Sequence, residues 1–222
     1  MNSLIENQAL KTRLKVCGLT RIGQIHELIS MNADFIGFIF YEKSPRYVLN
    51  HLSFENISKI NHKGKVGVFV NETIEKIIET SQKADLNFIQ LHGDENENFI
   101  SELKEKLNPE MRIIKVIRVG SWRPEVRSEI QTTVNQQHKT SNYFLFDTDS
   151  KAFGGTGKQF DWNILNQIEI PLPYFLSGGI SEENITDIKN LNQKPFAVDI
   201  NSKFEIEAGV KDLNKIKNLK MP

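Results

Sequence analysis

Short apolar runs recur eight times along this chain and alternate with stretches of helical periodicity. That alternation constrains the fold more than any other feature. The runs are residues 14–17, 35–40, 66–70, 88–91, 113–117, 143–146, 174–176 and 196–198. They are nearly continuous in apolar character, as parallel strands covered on both faces require. Between them, residues such as Ile74, Ile77 and Ile78 fall on one face of a helix. Residues 21–31 read as a helix, and a further one is expected to start with Ser181 as N-cap and Asn184 at its third position. Eight β–α units in 222 residues suit a single closed (β/α)8 barrel over 14–222, preceded by a polar arm over 1–13. An open doubly wound sheet is the alternative. Its dinucleotide form needs a G-x-G-x-x-G turn after the first strand, and Cys17-Gly18-Leu19-Thr20 is not one.

Charge and cysteine content narrow the function classes. Lys+Arg and Asp+Glu both number 28, so no net field favours nucleic acid or an anionic membrane. One cysteine excludes an intrachain disulfide and a cysteine cage for zinc or iron–sulfur. The five histidines form no H-E-x-x-H pair, and no metal or organic cofactor is expected. The first dozen residues lack the apolar run of a signal peptide, and no stretch is long enough to span a bilayer. The expected location is the cytosol.

In a barrel, chemistry sits at the C-terminal ends of the strands, and several reactive residues fall there. Cys17 ends the first strand; alone it reads more readily as a small buried hydrophobe. Backbone dipoles at that end are expected to lower its pKa. Asp147 ends the sixth strand, where a turn aspartate or a general acid would stand. Arg46, after the second strand, is either a surface residue or a grip for a carboxylate. His92 ends the fourth, suited to ligand contact or to a structural hydrogen bond. Gly154-Gly155-Thr156-Gly157-Lys158, Ser177-Gly178-Gly179 and Asn201-Ser202 follow the last three strands, where barrels often bind phosphate. These residues describe a cofactor-free barrel moving protons on a phosphorylated small molecule, hence an isomerase or lyase.

At these same residues the chain resembles the phosphoribosylanthranilate isomerase family. The matching segments run in order: Lys15-Val16-Cys17-Gly18-Leu19-Thr20, 33–40 with Ser44-Pro45-Arg46-Tyr47, 66–71, Gln90-Leu91-His92-Gly93, Phe146-Asp147-Thr148, 154–162, Leu176-Ser177-Gly178-Gly179 and Phe196-Ala197-Val198-Asp199. The resemblance implies a (β/α)8 fold and a tryptophan-pathway Amadori rearrangement. In it, N-(5-phosphoribosyl)anthranilate becomes 1-(2-carboxyphenylamino)-1-deoxyribulose 5-phosphate. By position Cys17 matches the general base, Asp147 the general acid and Arg46 the grip on the anthranilate carboxylate. The full substrate-binding set expected is Arg46, His92, Gly155, Gly157, Ser177, Gly178, Gly179, Asp199, Asn201 and Ser202.

The chain departs from the family pattern twice. Lys203 replaces the glycine after Ser202, and the final stretch reads Glu207-Ala208-Gly209-Val210-Lys211-Asp212. Lys203 is expected at negative φ, with phosphate held by backbone N–H groups near Gly179 and Ser202. The partner is a small molecule bearing phosphate and carboxylate, and the chain is expected as a monomer or homodimer. Competing readings are another phosphate-binding barrel, such as a tryptophan synthase α chain or a ribulose-phosphate epimerase, and a non-catalytic sugar-phosphate-binding barrel that regulates a partner.

Overall fold

Each of the eight apolar runs forms a strand: β1 (Arg13–Val16), β2 (Phe35–Ile39), β3 (Lys65–Phe69), β4 (Phe88–Leu91), β5 (Arg112–Val119), β6 (Tyr143–Thr148), β7 (Tyr174–Leu176) and β8 (Ala197–Ile200). The computed structural model describes residues 12–121, 124–149 and 159–221. All eight strands pair in parallel and in sequence order, and β8 returns to β1 to close the barrel. The closing seam aligns Lys15 with Asp199 and Val16 with Ile200. Most of the polar arm and the loop holding Gly155 and Gly157 lie outside the described residues.

Helices α1 (Ile22–Ser30), α2 (Phe54–Ser58), α3 (Ile74–Lys83), α4 (Glu97–Lys106), α5 (Pro124–Gln137) and α6 (Leu213–Lys217) lie between and after the strands. Their starts follow local chemistry: the side chains of Ser53, Thr73, Asn96 and Asp212 each accept the N–H three residues on. Each helix buries its apolar stripe, with Ile25 and Leu28, Ile74 and Ile77, and Ile100 and Leu103 in one core.

The expected helix from Ser181 is corrected. A 3-10 turn spans Ile185–Asn190, with Asn184 at its N-cap. Asn184 Oδ1 accepts from the Ser181 N–H, and its Nδ2 donates to Gly179 O and Gln159 Oε1. Those three bonds hold residues 181–184 in a turn, so the helical segment starts later. A second 3-10 stretch, Trp162–Gln167, follows β6.

Inside the barrel, side chains alternate with a period of two. Its N-terminal end is filled by aromatic rings: Phe35, Phe88, Tyr143, Phe175 and Phe196, with centroids 5.0–6.1 Å apart. Val66, Ile114, Val116, Leu145 and Ala197 continue that filling. Nearer the C-terminal end lie Cys17, Ile39 and Val68. Phe175 is wholly buried against three of these rings, those of Phe35, Tyr143 and Phe196. Phe175→Ala should therefore cost about 3–5 kcal/mol of stability, read as a lower urea midpoint at unchanged m. A cost below about 1 kcal/mol would mean the rings do not close that end.

Candidate active site

Alternation along β1 puts Lys15 and Cys17 on the inner face of the barrel, and along β8 it does the same for Asp199 beside Ala197. Cys17 is 5 % exposed, and its backbone N–H donates to Ile200 O at 3.0 Å. Gly37 on β2 faces it; a Cβ there would come within 2.9 Å of Sγ. Only a residue without a side chain leaves room for the thiol.

Lys15 Nζ lies 2.9 Å from Asp199 Oδ2, with the ammonium wholly buried. Burial works against the Lys15 ammonium, yet Asp199 and Cys17 together hold it above the ordinary lysine value. Burial pushes the Cys17 thiol up; the Lys15 charge opposes this without cancelling it. The expected lowering of the thiol is thus corrected, because desolvation outweighs the ammonium. Burial also pushes the Asp199 carboxyl up, against Lys15 and with a contribution from the Asp147 charge. Asp199 Oδ1 and Gln90 Oε1 are buried and have no hydrogen-bond partner among the described residues.

Asp147 stands on the inner face near the end of β6, with β7 and β8 between it and Cys17. It is 9 % exposed, and its Oδ1 accepts the Thr148 N–H at 2.8 Å. His92 Nε2 lies 3.4 Å from Asp147 Oδ2, and His92 Nδ1 pairs with Gln90 Nε2 at 3.0 Å. The two readings of His92 therefore merge: its contact is structural, and the group it touches is the candidate acid. A buried ion pair between β5 and the loop after β4 fixes the segment that follows His92. Lys115 Nζ meets Glu95 Oε2 and Gly93 O, each at 2.9 Å, while Glu95 Oε1 accepts the N–H groups of Asn71 and Gly93.

The loop after β7 carries Ser177, Gly178 and Gly179. Gly178 and Gly179 have φ of +81° and +72°, the left-handed region that glycine tolerates. A Cβ on Gly178 would come within 2.5 Å of Thr148 Oγ1 and 3.2 Å of Asp147 Oδ1. The glycine thus lets the loop lie directly against Asp147. After β8, Ser202, Lys203 and Phe204 form a 3-10 turn. Lys203 is exposed and is not among the residues with positive φ, in line with the sequence expectation.

Arg46 lies across Gly18: a Cβ on that glycine, at φ +73°, would meet Arg46 Cδ at 2.7 Å and Asn201 Oδ1 at 2.9 Å. The guanidinium is not free. Its Nε donates to both oxygens of Glu205 at 3.0 Å and Nη2 to Oε2 at 2.7 Å. Lys211 Nζ bridges Glu205 Oε1 and Asn201 Oδ1, each at 2.7 Å. Burial alone would push the Glu205 carboxyl up, but the hydrogen bond of Arg46 and the charge of Lys211 hold it below the usual range.

Glu205 and Lys211 stand on a short antiparallel hairpin, β9 (Glu205–Glu207) and β10 (Val210–Lys211). Its turn glycine, Gly209 at φ +84°, accepts from Thr20 Oγ1 at 2.6 Å, and Gln24 makes two hydrogen bonds to the Lys211 backbone. The final stretch that departs from the family pattern therefore folds as a brace for Arg46.

Lys15, Glu205 and Lys211 were missed by the sequence reading. Lys15 was within reach, because a residue two before Cys17 on a strand shares its face. Glu205 and Lys211 carry no comparable signal, since their approach depends on the hairpin.

The family model of N-(5'-phosphoribosyl)anthranilate (PRA) isomerase matches residues 14–220. An N-(5'-phosphoribosyl)anthranilate isomerase of Caldanaerobacter subterraneus is 39 % identical, covering 93 % of this chain and 95 % of that protein. One of Parabacteroides distasonis is 37 % identical, covering 92 % and 90 %. Among solved structures, phosphoribosyl anthranilate isomerase from Thermotoga maritima superposes with a TM-score of 0.74 at 32 % identity, covering 93 % of this chain and 95 % of that one. Another, solved in complex with reduced 1-(o-carboxyphenylamino)-1-deoxyribulose 5-phosphate, gives 0.71 at 30 % identity, covering 93 % and 95 %. With a closed eight-stranded barrel and its reactive residues at the strand ends, this chain belongs to the N-(5'-phosphoribosyl)anthranilate isomerase family.

Proposed function

We propose that the chain carries out the family's isomerisation of N-(5'-phosphoribosyl)anthranilate through Cys17 as base and Asp147 as acid. The observation that carries this reading is the pairing of a buried thiol beside a buried ammonium with a carboxyl beside an imidazole, on inner faces of the same barrel end. An acid and a base held apart suit a reaction that gives a proton at one atom and takes one at another. Asp147 donates to the furanose ring oxygen, and the C1–O bond breaks as the anilino nitrogen's lone pair forms C1=N. The Cys17 thiolate then removes the C2 proton, and those electrons form C1=C2 while the C=N pair returns to nitrogen. Protonation of the resulting enolamine at C1 and loss of the O2 proton give the ketone. The substrate's nitrogen is the electron sink.

The remaining roles divide along the substrate. Arg46 takes the anthranilate carboxylate. The loops holding Ser177, Gly178, Gly179 and Ser202, with Gly155 and Gly157, take the phosphate at the other end. His92 orients Asp147. Asp199 and Asn201 face the ribose, a reading supported by the unpartnered Asp199 Oδ1, which can accept a sugar hydroxyl. No helix among the described residues is long and apolar enough to cross a membrane, and a cytosolic location fits a step of tryptophan synthesis.

Cys17→Ala should leave the fold intact and lower kcat by roughly 10²–10⁴, the span for a positioned base; near-normal turnover would remove the assignment. Because burial holds the thiol up, its alkylation rate in the free protein should inflect above the ordinary thiol value of about 8.5, and Lys15→Met should move the inflection higher. An inflection below neutrality would contradict the electrostatics. Asp147→Asn should reduce kcat by a comparable factor of roughly 10²–10⁴ while inhibition by inorganic phosphate persists. Retained turnover would place the acid elsewhere. Arg46→Ala should raise KM by about ten-fold or more, from about 1.5–3 kcal/mol for a charged hydrogen bond, with Arg46→Lys a partial rescue.

A further inference from the structure

Arg46 has two hydrogen-bonding edges, and Glu205 occupies only one. A guanidinium carries five N–H groups in a planar fork. Glu205 engages Nε and one Nη2 hydrogen, which leaves the Nη1/Nη2 edge to meet a second carboxylate side by side. Glu205 itself is anchored from three directions. Arg46 grips it, Lys211 Nζ donates to Oε1 at 2.7 Å, and the Gly209 N–H donates to Oε1 at 3.1 Å. Its side chain is 4 % exposed and that of Lys211 wholly buried. A carboxylate so held is a fixed part of the wall, not a mobile counter-ion waiting to be displaced.

We propose that Glu205, braced by Lys211, is a positioning residue that fixes Arg46 for a carboxylate on the substrate's aromatic ring and thereby sets the discrimination for carboxylate-bearing substrates. This rests on the proposed isomerase reading. Without Glu205, Arg46 would gain rotamer freedom and Lys211 would lose its partner inside the wall. The guanidinium would still attract an anion, but without a set direction. The effect belongs to the carboxylate end and should spare the phosphate end.

The test compares two ligands on the full chain by titration calorimetry. One is reduced 1-(2-carboxyphenylamino)-1-deoxyribulose 5-phosphate; the other is its phenylamino counterpart without the carboxylate. Wild type should prefer the first by about ten-fold or more. Glu205→Gln should shrink that preference by about ten-fold and raise KM for substrate more than it lowers kcat, while inhibition by inorganic phosphate stays as in wild type. Glu205→Asp retains the charge on a shorter stem and should restore part of the preference; it also serves should Glu205→Gln fold poorly, which a circular-dichroism melt reports. An unchanged preference in folded Glu205→Gln and Glu205→Asp overturns the proposal. A preference that grows overturns it too, because Glu205 would then be competing with the ligand. Failure of the isomerase reading is seen separately, as wild type that binds neither ligand and turns over no substrate.

Discussion

An ammonium and a carboxylate 2.9 Å apart, both shut inside the barrel, join the first strand to the last. Removing either partner of such a pair leaves an uncompensated buried charge, which typically costs about 3–5 kcal/mol. The barrel therefore retains both or neither. Their placement at the closing seam lets one interaction serve two ends. It holds β1 and β8 in register, and it places a positive charge two residues below the thiol that must become an anion. Burial pushes the Cys17 thiol up, and Lys15 is the nearest charge that opposes it.

Around that seam the site is built from pairs, each with one member that reacts or binds and one that holds it. Asp147 has His92, which has Gln90. Arg46 has Glu205, which has Lys211. Glycines supply the spacing. Gly37 clears the thiol, Gly18 clears Arg46 and Gly178 clears Asp147. A methyl group at any of the three would displace the group it faces, so the glycines act through geometry and not through flexibility. The aromatic rings at the opposite end keep the barrel filled while the reactive end carries buried polar groups that contribute little to stability.

The barrel was legible in the sequence because short, nearly continuous apolar runs such as 88–91 and 174–176, spaced by helical stretches, read as strands covered on both faces, and the structure reproduces those two to the residue. Cys17, Asp147 and the Ser177-Gly178-Gly179 loop were legible because position at a strand end fixes which way a residue faces. The helix expected from Ser181 was misread because Asn184 spends its side chain on Ser181, Gly179 and Gln159, three partners that spacing alone does not reveal. The thiol's direction of shift was misread because desolvation is a tertiary quantity. Glu205 stayed hidden for the same reason: it lies 159 positions from Arg46, and only the hairpin brings them together.

In the proposed reaction this barrel removes the C2 proton of N-(5'-phosphoribosyl)anthranilate, and the enolamine is reprotonated at C1. Its most direct test is turnover of freshly generated substrate by the purified chain in D2O, followed by NMR of the product. The expected result is a ketone at C2, loss of the original C2 hydrogen and solvent deuterium at C1. Unconsumed substrate, or a product that retains its C2 hydrogen, would contradict it.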